Sequence, residues 1–103
     1  MQAYSEIVVV PNPEGLHLRV ASLAAQVANR FGADVTVSMG KVRVSARSPL
    51  ELLSLGARRG TRLTVTGEGA DAGAAVSAIV AFFHTLSGPN GHLPKGLAVG
   101  SAG

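Results

Sequence analysis

Cysteine and tryptophan are both missing from this sequence, and its aromatic residues are Tyr4, Phe31, Phe82 and Phe83 alone. Without cysteine there is no disulfide framework, no thiolate nucleophile and no cysteine-based metal site. With so few aromatics, a nucleic-acid surface that stacks bases has little to stack them on. No apolar run approaches the length of a membrane span. The stretch from Met1 to Glu6 has no basic segment leading into an apolar one. A cytoplasmic setting away from membranes is therefore expected. Acidic residues are scarce too, six against nine lysines and arginines, which leaves a formal net charge of +3. That excess invites an acidic partner, either nucleic acid or the docking face of a protein. At 103 residues there is room for one domain with one modest core.

The stretch that is most informative is Gly15-Leu16-His17-Leu18-Arg19-Val20-Ala21. It closes a strand-like run and opens a run with helical periodicity. A histidine therefore stands at the mouth of a helix, where unpaired N–H groups and a partial positive charge suit a phosphate or carboxylate. No Ser, Thr, Asp or Asn occupies positions 15 to 20 to cap that helix. The N–H groups of Leu18, Arg19 and Val20 are expected to face an incoming anion, with Arg19 adding charge. Histidine is the side chain best suited to accept and release a phosphoryl group near neutral pH. The residues alone also fit a solvated histidine that happens to begin a helix.

Residues 4–10 read as a strand whose continuous apolar end implies burial on both faces. Pro11-Asn12-Pro13-Glu14-Gly15 is a turn cluster. A helix is expected from about Leu18 to Phe31, because Val20, Leu23, Ala24, Val27, Ala28 and Phe31 recur at helical spacing before Gly32. Two alternating strands follow, carrying Val35 and Val37 and then Val42 and Val44, with Met39-Gly40 as the hairpin turn. Ser48, Pro49 and Glu51 spell a capping box with proline at the first helical position, for a short helix ended by Gly56. Leu63 and Val65 mark a fourth strand, and Asp71 is the expected cap of a last helix reaching Leu86. Residues 87–103 hold Pro89, Pro94 and five glycines and read as a flexible tail.

The order β-α-β-β-α-β-α implies an α+β, open-faced two-layer sandwich. Three helices would cover one face of a four-stranded, mostly antiparallel sheet, and solvent the other. Residues 1–86 form the domain and 87–103 the tail.

At this point the sequence resembles the HPr family, the histidine-containing phosphocarriers of the phosphoenolpyruvate-dependent phosphotransferase system. The family signature Gly-Leu-His, one variable residue, Arg-Pro-Ala is matched at Gly15, Leu16, His17, Arg19 and Ala21. Ala46-Arg47-Ser48 matches the family's second landmark, and residues 55–61 match the loop after the middle helix. The resemblance implies that enzyme I phosphorylates His17 on its δ nitrogen and that enzyme IIA domains receive the group, in sugar uptake or regulation. It implies a monomer with no bound cofactor or metal. It also implies that Ser48 is a target of a serine kinase/phosphorylase, although the cap role accounts for Ser48 by itself.

Two positions depart from the family: Val20 replaces the signature proline, and Leu18 fills the variable position. Leu18 and Val20, with Leu50 and Leu53 of the middle helix, read as an apolar docking patch around His17. His84 and His92 read as solvated. Arg58, Arg59 and Arg62 form a basic cluster that fits the alternative, a small RNA-binding or structural interaction domain without phosphoryl chemistry.

Overall fold

The computed structural model describes residues 3–86; the tail expected over 87–103 lies outside the described residues. Seven elements follow in order: β1 (Ala3–Val9), α1 (Leu18–Ala28), β2 (Asp34–Met39), β3 (Val42–Ser45), α2 (Pro49–Ser54), β4 (Arg62–Glu68) and α3 (Ala72–Thr85). The sheet order is β1-β4-β2-β3, and every pairing is antiparallel. This is the expected open-faced sandwich.

Period-2 alternation decides which face each side chain takes. Val35 and Val37 of β2, Val44 of β3, and Leu63 and Val65 of β4 are buried beneath the helices. On the other face Ser5, Thr36, Ser38, Thr64 and Thr66 remain partly or fully exposed. There the Ser5 and Thr66 hydroxyls bond across β1 and β4 at 2.9 Å, and Arg43 Nε donates to Thr36 Oγ1 at 3.2 Å. The helices complete the core with Val20, Ala24 and Val27 from α1, Leu52 from α2, and Val76, Ile79 and Phe83 from α3. Gly67 lets α3 approach β4 closely, since a Cβ there would stand 2.9 Å from Val76 Cγ2.

Four expectations need correction. β1 is not buried on both faces: it is an edge strand covered from one side, so Val8 and Val10 are buried while Ile7 and Val9 stay 59% and 49% exposed. α1 stops at Ala28 rather than Phe31 because Asn29 ends it. Its Nδ2 donates to Ala25 O at 2.8 Å and to Arg47 O at 3.1 Å, and Arg30 and Phe31 then close tighter turns onto Val27 and Ala28. The hairpin turns at Gly40-Lys41, because Met39 still pairs with Val42. Asp71 stands at the cap position of α3 but makes no capping hydrogen bond. Its carboxylate accepts instead from Gly32 N at 2.9 Å and Ala33 N at 2.7 Å, which lowers its pKa, the Gly32 bond first.

Candidate functional site

The chain leaves β1 through Pro11 and reaches α1 by a turn that is fastened at several points. Gly15 adopts φ +71°, and a Cβ there would lie 2.6 Å from Ala57 O, so only glycine fits. Leu16 buries its side chain and donates its N–H to Ala57 O at 2.9 Å. Val10 N bonds Thr61 O at 2.9 Å and Gly60 N bonds Val10 O at 2.8 Å. The segment before His17 is thereby stitched to the loop between α2 and β4.

His17 sits at the N-cap of α1 with extended backbone, φ −86° and ψ 176°. Its carbonyl accepts from Ala21 N at 2.8 Å. Its Nδ1 accepts from Arg19 N at 3.3 Å, so the helix is capped by the histidine ring itself. This corrects the expectation of a helix without a cap and of three waiting donors. Arg19 N–H is taken, while the N–H groups of Leu18 and Val20, at the first and third helical positions, have no intrahelical acceptor. With Nδ1 accepting, the proton of the uncharged ring belongs on Nε2.

Of the four residues expected to form a docking patch, only two present exposed side chains. Val20 is 2% exposed and packs into the core, because the third helical position of α1 turns toward the sheet. It contributes no side chain to a surface. Leu53 is half-buried against the core. Leu18 and Leu50 are 54% and 72% exposed at the starts of α1 and α2, two helices that pack against each other. The Arg19 side chain is exposed, as are Arg58 and Arg59 on the loop that holds Leu16.

Ser48 is half-buried and caps α2, its Oγ accepting from Glu51 N at 3.2 Å. The reciprocal half of the box is absent. Glu51 Oε1 reaches Ser45 N at 2.9 Å instead, while Ser48 N approaches Ser45 O at 3.4 Å. Glu51 thus fastens α2 to the end of β3.

Two residues at the site's margins escape sequence reasoning. Asn12 is buried, although an asparagine between prolines signals only a turn. Arg47 reads as a family landmark but works as a clasp, its Nη2 donating to Phe31 O at 2.6 Å and Ala33 O at 2.9 Å. Nothing in the sequence pairs it with that loop. His84 is exposed on α3, and His92 lies outside the described residues.

An open-faced α+β sandwich that delivers a histidine to a helix mouth, with an arginine two residues on, is the build of a small phosphocarrier domain. The family model described as the PTS HPr component phosphorylation site matches residues 4–85. The chain belongs to the HPr family of phosphotransferase-system phosphocarriers. It is 42% identical over 74 residues to the phosphocarrier protein NPr of Shewanella violacea, covering 72% of this chain and 81% of that protein. It is 36% identical over 83 residues to the HPr of Haemophilus influenzae, covering 81% of this chain and 98% of the relative. The crystal structure of an HPr from Thermoanaerobacter tengcongensis superposes with a TM-score of 0.76 at 30% identity, over 85% of this chain and 97% of that one.

Proposed function

We propose that His17 is the residue that carries the phosphoryl group, receiving it from enzyme I and passing it to enzyme IIA domains. The observation that carries this reading is the place of Nδ1, which lies at the mouth of α1 among the first N–H groups of the helix, 3.3 Å from Arg19 N. In the transfer, the Nδ1 lone pair forms a bond to phosphorus as the bond from phosphorus to the donor atom breaks, and that atom leaves with the electron pair. The His17 ring gives up its Nε2 proton to solvent and the released donor group takes one up, so charge and protons balance. Arg19 N–H, released from Nδ1, turns to an oxygen of the arriving phosphoryl group, joined by the N–H groups of Leu18 and Val20. The Arg19 guanidinium supplies the compensating charge.

Leu18 and Leu50 form the apolar part of the contact with donor and acceptor, and the exposed arginines supply its charge. Membership of the HPr family supports enzyme I as donor and enzyme IIA domains as acceptors, and we propose a monomeric, cytoplasmic carrier with them. The deciding experiment is incubation of the full chain with enzyme I and phosphoenolpyruvate, followed by intact-mass measurement. One phosphate adduct that survives alkali and is lost in acid is expected, and it should be missing from His17→Ala. An acid-stable adduct, or an adduct retained by His17→Ala, would place the chemistry on another residue.

A further inference from the structure

We infer that Asn12 is a positioning residue for His17, acting through the carbonyl of Gly15; the inference rests on the reading of His17 as the phosphoryl acceptor. Among the described residues Asn12 is the one polar side chain in the core, 1% exposed. Its Nδ2 donates to Gly15 O at 2.8 Å, and the same carbonyl accepts from His17 N at 3.0 Å. Asn12's own carbonyl accepts from Gly15 N at 3.1 Å. Asn12 therefore grips Gly15 on both sides and lies one shared oxygen from the His17 backbone.

That arrangement is a poor way to obtain stability. Asn12 Oδ1 is buried with no hydrogen-bond partner, which disfavours the folded state. Nor does Gly15 O need Asn12, because His17 N already satisfies it. An apolar side chain of similar volume would fill the space without stranding an oxygen. What Nδ2 adds is direction: it holds the Gly15 peptide plane, already at the unusual φ of +71°, and so fixes where the His17 backbone begins. From that start the ring reaches back to Arg19 N. A nucleophile held within a fraction of an ångström reacts faster than one that wanders, while the affinity for its partner is unchanged.

The test compares the wild-type chain with Asn12→Leu, which keeps the volume and removes the amide, and Asn12→Met, which removes it with an unbranched, adaptable side chain. Three readouts are taken: melting temperature, phosphoryl uptake from enzyme I and from phosphoramidate as a partner-independent donor, and NMR shifts of the Arg19 amide and the His17 ring nitrogens. Asn12→Leu should melt no lower than the wild type yet take up phosphoryl from either donor about tenfold more slowly. KM for enzyme I should be unchanged, and the Arg19 amide should lose the shift that marks its bond to Nδ1. Asn12→Met should show the same losses, which keeps the comparison available even if the leucine variant folds poorly. Wild-type rates with unmoved Arg19 and His17 resonances in a folded variant would overturn the inference. If the wild type takes phosphoryl from neither donor, the reading of His17 fails, and the NMR shifts decide separately whether Asn12 orients the ring.

Discussion

At Nδ1 of His17 a single lone pair serves two purposes. In the resting protein it caps α1; in the proposed transfer it forms the bond to phosphorus, and the cap has to let go. The long 3.3 Å contact is suited to that exchange, being the weak end of the hydrogen-bond range. Removing the ring therefore removes a cap as well as a nucleophile. His17→Ala should lose all phosphorylation and about 0.5–1 kcal/mol of stability. His17→Asn should restore most of that stability, because asparagine is a strong capping residue, while staying inert toward enzyme I. Denaturant unfolding alongside phosphate incorporation separates the two effects. A histidine beside an arginine at a helix start was legible in the sequence, and the family signature strengthened it. The ring as cap was not, since capping preferences are framed around oxygen side chains. Val20 misled for a different reason: its nearness to His17 in sequence says nothing about which way a helix turns it.

The elements around the site divide by how local their signals are. Ser48, Pro49 and the start of α2 were readable because a cap and its helix lie within four residues. Half of the capping box failed because Glu51 found a partner on β3, which local grammar does not contain. The edge position of β1 was hidden in the same way: an apolar run does not announce which strands will flank it. For α2 this yields a separable prediction. Ser48→Ala should cost about 1 kcal/mol through the lost cap, whatever else Ser48 does. Ser48→Asp should keep the cap and recover that stability, adding a negative charge at the positive end of the helix. If Ser48 borders the docking face, the aspartate variant should accept phosphoryl from enzyme I more slowly, and the defect should shrink as salt is raised. Transfer at the wild-type rate at low salt would leave Ser48 as a helix cap alone.

Across the whole molecule, the loop from Asn29 to Ala33 is where distant parts of the chain meet. Asp71 holds it from the start of α3 and Arg47 from the start of α2. Because the Asp71 pKa is lowered on folding, the unfolded chain binds protons more readily in acid. Its stabilising contribution is therefore complete above about pH 4 and is lost as pH falls through the lowered folded value. Asp71→Asn should melt below the wild type at pH 7, and the two should converge on acidification; a gap that stays constant with pH would assign the effect to packing. At the other end of α1, the segments that carry His17 are joined as firmly, with Val10 bonded to Thr61 and Gly60, and Leu16 to Ala57. Such stitching has a kinetic meaning. The amides of Val10, Leu16 and Gly60 should exchange with solvent deuterium as slowly as sheet amides, unlike those of ordinary surface turns. A partner then meets a landing place that needs no ordering step on arrival. Association should then show no slow conformational phase, and stopped-flow binding should follow one exponential whose rate grows linearly with partner concentration.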